Sequence, residues 1–174
     1  MKTNNNSRFT ILFFIAATLI ALASRWLPHP DNFSAMGGLL FLCGYLVVRD
    51  RAVLPVALAA LLVIDLLIGL YAGVEWVYLG YVAILALGWT SSKTRVGMVG
   101  IANAVAAVAF FVLSNIGVWL SSGLYPQTSE GLRQCFLMAL PFFHMTFVSQ
   151  VLVGVGLVLV YTKMAAAAEV KQKA

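Results

Sequence analysis

Apolar residues run along this chain in long blocks separated by short polar stretches. The blocks cover 9–27, 33–48, 52–73, 75–90, 96–120 and 141–163. A helix that crosses the hydrocarbon core of a bilayer needs about 20 mostly apolar residues, so the pattern predicts six membrane-crossing helices. The second and fourth blocks are short, which predicts segments with little tilt or with ends in protein-lined surroundings. Between the fifth and sixth blocks the pattern changes. Tyr125-Pro126-Gln127-Thr128 reads as a turn leading into a helix, because proline fits a helix's first turn. Beyond it Leu132, Phe136, Leu140 and Phe143 recur at helical spacing, with Glu130, Arg133 and Gln134 off that stripe. The expectation is an amphipathic segment over 126–140, on the outer surface or folded back among the helices. Pro141 then kinks or restarts the chain into the last helix. No internal repeat is visible, which argues against the larger inverted-repeat transporters.

Composition explains why these blocks must face lipid. Of 174 residues, 62% are hydrophobic and only 10% charged, where a soluble domain keeps roughly a quarter charged. The length suits one domain over 1–174. The net charge of +5 comes from residues between apolar blocks, with no basic patch or aromatic RNA-binding motif, so nucleic acid is not an expected partner. Six crossings put nine of the eleven basic residues on one side: Lys2, Arg8, Arg49, Arg51, Lys93, Arg95, Lys163, Lys171 and Lys173. Arg25 and Arg133 are left on the other. By the positive-inside rule the first side is cytoplasmic, which places both termini there and the protein in the cytoplasmic (inner) membrane. A competing reading makes the first block a secretory signal cleaved after Ala21-Leu22-Ala23. The apolar run continues to Trp26, however, and cleavage would leave the first loop with no helix behind it. An uncleaved first helix is the better reading.

Polar groups inside apolar blocks are costly, so each needs a reason. Asp65 lies in the third block, about two turns from its outer end. An isolated carboxylate there costs ~2.5 kcal/mol or more on insertion scales. It must pair with Arg25 or a helix end, face a wet cavity, or be protonated. In the fifth block Asn115 and Trp119, four apart, share a face, while Asn103 reads as packing glue between helices, worth ~0.6 kcal/mol on average. In the sixth, Thr146 and Gln150 share a face with Phe143 and Phe147, and His144 lies on a different one. Two histidines and two cysteines lack ligand spacing such as HxxxH or CxxC, so neither a metal nor a cofactor is expected. Cys43 reads as a packing residue, and the role of Cys135 stays open.

The distribution of these groups carries more than any single member. Asp31, Asn32, Asp65, Asn115, Tyr125, Gln127, Glu130 and His144 all fall on the outer half, while the inner half is nearly all Ala, Val, Leu and Gly. That asymmetry predicts a polar pocket open to the outside. Its expected ligand contacts are Asp65, Asn115, Trp119, His144 and Gln150, with His29, Asn32 and Tyr125 at the entrance. No carboxylate pair has relay spacing and no GxxxxGK[ST] loop is present. Solute uptake would then be passive or energised by partner subunits. Ala17 and Ala21, extended by Ser24, form a small-residue face on which another helix can dock. Two other readings compete. A non-transporting scaffold would depend on Ala17 and Ala21 and not on the outer polar residues. A membrane enzyme would use Cys135 as nucleophile and His144 as base, but nothing places residues nine apart across Pro141 within reach, so no enzyme is expected.

Several of these stretches resemble a family of small bacterial integral membrane proteins of unknown function. They are 25–33, with Pro28-His29-Pro30 before Asn32-Phe33; 114–119, with Ser114-Asn115 before Val118-Trp119; 125–135, with Tyr125-Pro126 before Thr128; and Pro141-Phe142-Phe143. The resemblance touches every outer connection except that between the third and fourth helices, and it implies no reaction. Where that family tends to show Gly-Asp in the last helix, this chain has Ser149-Gln150. More distantly, the size, six helices, cytoplasmic ends and small-residue first helix resemble the substrate-binding S components of energy-coupling-factor transporters. That likeness implies a vitamin-like or metal-complex ligand taken from outside, a coupling membrane subunit, and two ATPases. It would map the coupling contact onto Ala17 and Ala21. The expected fold is thus all-α, a six-helix transmembrane bundle in membrane lipid with an outer amphipathic segment.

Overall fold

Backbone N–H and C=O groups in apolar surroundings must bond within their own segment, which turns long apolar blocks into helices. The structure, a computed structural model, describes residues 2–24, 27–28 and 30–173. Arg25, Trp26 and His29 lie outside the described residues. The described residues form six helices and no strand: α1 (Lys2–Ala23), α2 (Met36–Leu46), α3 (Val53–Ile68), α4 (Val74–Ser91), α5 (Val96–Ser121) and α6 (Ser129–Lys173). Four of them, α1, α4, α5 and α6, are long and apolar enough to cross a membrane. The other two, at 11 and 16 residues, are shorter than their apolar blocks suggest. At ~1.5 Å per residue they span about 16 and 24 Å, against a hydrocarbon core of ~30 Å.

The third block ends early at Gly69, whose φ of +85° puts it in the left-handed region, and Gly73 at +86° starts α4 from the same region. Glycine takes these angles without the Cβ clash other residues suffer, and the five-residue link 69–73 follows. The sixth block departs from expectation in the opposite direction. The amphipathic segment and the last helix are one continuous helix, with Pro141 inside it. Proline removes one donor, leaving the Leu137 carbonyl without its intrahelical partner. Leu137 and Pro141 both lie on an exposed face, so the helix continues past them.

The architecture is organised around α2. Ten of its eleven residues are buried, which makes it the central column. It packs against α4 and α6 and also against α1 and α3. The α2–α4 contact is backbone to backbone: a Cβ on Gly44 would strike the Leu85 carbonyl, and one on Gly88 the Phe41 carbonyl. α3 packs on α1 and α2 but not on α4, and presents Leu58, Leu62 and Leu66 outward at a four-residue spacing. Ala17 and Ala21 are buried in the bundle's own core beside Phe14, so they are not an exposed face for another helix. α1 exposes Leu12, Leu19 and Ile20 instead.

The two ends of the bundle differ. One, the basic end, gathers the start of α1, the links 47–52 and 92–95, and the last turns of α6. There the Ser7 hydroxyl donates to Asp50, which also accepts the Ala52 N–H at 2.9 Å and so tightens the turn into α3. The far end holds residues 30–35 and the links 69–73 and 122–128. The Trp119 indole N–H donates to the Pro126 carbonyl at 2.9 Å, and Gln127 Nε2 donates back to the Trp119 carbonyl at 2.8 Å.

Candidate functional site

A column only about 16 Å long leaves space at its far end. α2 begins at Met36, whose N–H donates to Ser34 Oγ at 3.3 Å, and the chain before it folds over the gap. Asn32 makes this turn with a φ of +61°, an angle asparagine tolerates better than most residues. The space beneath forms two adjoining cavities of about 310 and 420 Å³ that share Asn32, Phe110 and Thr146.

The first cavity has an aromatic wall and an amide floor. Tyr81 of α4 stacks on Phe110 of α5 with ring centroids 5.4 Å apart and planes 15° from parallel. Gln150 of α6 forms the floor together with Ser149 and Gly37. It donates from Nε2 to Asn103 Oδ1 at 3.1 Å, and Asn103 donates from Nδ2 to the Val99 carbonyl at 3.0 Å. Both amide residues are buried. They fit because two glycines make room: a Cβ on Gly37 would collide with Gln150 Oε1, and one on Gly154 with Asn103 Oδ1. An amide pair in a dry core costs little only while both partners are present, since an orphaned one keeps its full desolvation penalty.

The second cavity lies between α5 and α6, lined by Phe111, Ser114, Asn115, Phe142 and Phe143 among others. Phe111 and Phe143 pack at 4.4 Å between centroids. Asn115 returns its Nδ2 to the Phe111 carbonyl at 2.7 Å. Every described residue lining the two cavities is neutral.

The residues singled out from sequence separate into three groups. Asn32, Asn115 and Gln150 line this paired cavity. Asp65, Trp119, Tyr125 and His144 do not, and His29 lies outside the described residues. Asp65 is instead met by the hydroxyl of Tyr78, which donates to it across the α3–α4 gap. It still reaches the cavity indirectly, because the Tyr78 ring meets Tyr81 edge-on at 5.9 Å. The Trp119 N–H is committed to Pro126, and His144 lies on an exposed face of α6. Cys135 and Cys43 are both free and buried, and the Cys135 thiol donates to the Asn115 backbone carbonyl at 3.4 Å. No group of three His, Cys, Asp or Glu side chains able to hold a metal occurs among the described residues.

The residues that sequence reasoning passed over are Tyr81, Phe110, Ser34 and Ser149, with Asn103 assigned only to packing. One signal was available for the last. Asn103 and Gln150 are the two amides deep in the last two apolar helices, and two amides at matching depth satisfy each other.

Fold and cavity together describe an all-α bundle with helices of membrane-crossing length around a neutral, aromatic-walled chamber. The chain belongs to a family of unknown function, DUF6580, whose model matches residues 3–172. No curated protein matches it, and no solved structure does.

Proposed function

We propose that this chain is a single-domain integral protein of the cytoplasmic membrane, crossing it six times with both termini inside, that binds a small neutral solute from the outer face for uptake. The short α2 fits such a crossing because protein surrounds it on all sides, and non-helical backbone is tolerated at membrane depth where protein buries it. The links beside α2 then complete its passage. The basic end faces the cytoplasm by the positive-inside rule, which opens the paired cavity to the outside.

The observation that carries the solute-binding reading is the chamber's lining. Stacked Tyr81 and Phe110 stand beside the hydrogen-bonding groups of Asn32, Thr146, Ser149 and Gln150, and no described lining residue is charged. Each cavity falls within the ~300–1,000 Å³ of small-ligand sites, where apolar walls supply affinity and a few polar groups supply orientation. This lining suits a flat, uncharged, heteroaromatic or amide-bearing solute better than a metal complex. A likeness to the S components of energy-coupling-factor transporters would supply the energy through a coupling subunit and ATPases. Such a subunit would have to dock on the exposed face of α1, at Leu12, Leu19 and Ile20, because Ala17 and Ala21 are buried.

The test is a thermal-shift screen of the detergent-purified protein against neutral heteroaromatic solutes, carboxylates and divalent cations. A binder at 100 times its dissociation constant adds ~2.7 kcal/mol of stability. A shift confined to neutral ring compounds and lost in Phe110→Ala supports the reading. Shifts only with cations or carboxylates, or shifts that survive Phe110→Ala unchanged, would sink it.

A further inference from the structure

The basic end carries a second cavity, of about 510 Å³, between α1, the α2–α3 link and α6. Its cation is Arg49, whose guanidinium carbon lies 5.2 Å from the Tyr45 ring centroid and 5.7 Å from that of Tyr161. Two ring faces at that range orient an arginine by cation–π attraction. They do so without occupying its five N–H donors, which form a planar fork matched to phosphate oxygens. The adjacent acid does not claim them: Asp50 is held by the Ser7 hydroxyl and the Ala52 N–H. Among the described residues, the ion pair formed is Arg133 with Glu130, at the other end of the molecule.

Glu169 lines the same cavity as Arg49 without pairing with it. One unpaired cation and one unpaired anion in a single pocket suit a ligand that carries both signs. The apolar part of the lining is Tyr161, Ala165 and Ala166. Behind it the Tyr161 ring packs on Phe13 at 5.3 Å and on Phe9 at 5.9 Å between centroids. Thr10 and the Tyr161 hydroxyl, 2.9 Å apart, anchor that ring to α1. Phe9 and Phe13 lie along α1 from the polar pocket toward mid-bundle, where a lipid's acyl chain would run. Tyrosine concentrates at the membrane–water interface because its ring is apolar and its hydroxyl polar, as Tyr161 is placed here.

We propose that the basic end holds the headgroup of a zwitterionic phospholipid, its phosphate on Arg49 and its ammonium on Glu169. The inference shares with the proposed function only that the bundle spans a bilayer; it needs no solute in the far-end cavity. A phosphate held by Arg49 would tie the α2–α3 link to α6 and fix the depth of the central column.

Native mass spectrometry of the detergent-purified protein tests this with three probes: a phosphatidylethanolamine, a phosphatidylglycerol of the same chains, and soluble phosphoethanolamine. The expected result is retention of the ethanolamine lipid over the glycerol lipid. Arg49→Gln should cut that retention ~10-fold or more, the worth of one charge-assisted bond. Glu169→Gln, on the last turns of α6, should leave retention but abolish the preference between the two lipids. Unchanged retention in Arg49→Gln, or an unchanged preference in Glu169→Gln, overturns the proposal. So does displacement of the lipid by equimolar phosphoethanolamine, which would make the ligand a soluble phosphate ester.

Discussion

The two ends of the column occupied by α2 are built on opposite plans. Toward the basic end, Gly44 and Gly88 let α2 and α4 touch backbone to backbone. Toward the far end α2 stops at Met36, and α4, α5 and α6 continue past it around the paired cavity. A single helix thus seals one half of the bundle and leaves the other half hollow. The difference lies in length and side-chain size, not in hydrophobicity, because both halves of α2 are buried. Close contact needs a missing Cβ, and a chamber needs a helix that ends before its neighbours do.

The sharpest way to break this contrast is to push the sealed end apart. Gly88→Val should cost about 3 kcal/mol or more, the upper part of the overpacking range, since the obstacle is the Phe41 carbonyl and not a flexible side chain. Size-exclusion profile and melting temperature in detergent check it; a normal melt would show that the two backbones separate freely.

The floor of the hollow end comes next. Gln150→Ala orphans the Asn103 side-chain oxygen and should destabilise by about 1–3 kcal/mol. Asn103→Ala added to it should cost less than the two single changes together, because residues in one hydrogen-bond network are not additive. Additive losses measured by thermal melts would mean the two amides act independently.

A smaller effect separates Asp65 from the cavity itself. Asp65→Asn keeps an acceptor for the Tyr78 hydroxyl and should change stability by less than ~1 kcal/mol, whereas Asp65→Leu removes the bond and should cost about 1 kcal/mol. Any solute bound in the cavity should keep its affinity in Asp65→Asn, as read by thermal shift. Complete loss of binding would put the carboxylate back among the ligand contacts.

The smallest effect lies at the start of α6. The Arg133 guanidinium beside it holds the Glu130 carboxyl below its ordinary value of 4.5. A lowered carboxylate pKa in the folded state adds stability above the ordinary value and loses it as pH falls through the folded one. The pair is solvent-exposed, so Glu130→Gln should alter the melt below pH 5 barely or not at all. A large acid-dependent change there would mean that this turn supports the far-end cavity.

Much of the helical plan is legible in the sequence. The apolar blocks located all six helices among the described residues to within a few positions at most ends, and the Arg49-Asp50-Arg51 turn fell where it was expected. The misses have physical causes. Hydropathy does not distinguish a helix from an apolar link, so it ran the second and third blocks past Leu46 and Ile68. Pro141 reads as a break, yet it interrupts one bond on an exposed face of a 45-residue helix. The small residues Ala17 and Ala21 were legible as a packing face, but their partner is the chain's own core. Among the site residues, Asn115 and Gln150 came from the rule that polar groups inside apolar segments need reasons, and Asn32 from the gathering of polar residues on the outer half. Asp65 obeyed the same rule with a different answer, a tyrosine thirteen positions away in the next helix.

By itself the sequence determined the secondary structure type, the positions of the apolar segments and the uneven charge between the two ends. Those are sums over neighbouring residues, and hydropathy and charge add along a chain. Only the tertiary structure decided that α2 is the central column, that Asn103 and Gln150 share a floor, and that Tyr81 and Phe110 form a wall. Each depends on the rotation of one helix against another. Helical spacing says which residues share a face; which face meets which is set by where glycines let two backbones close.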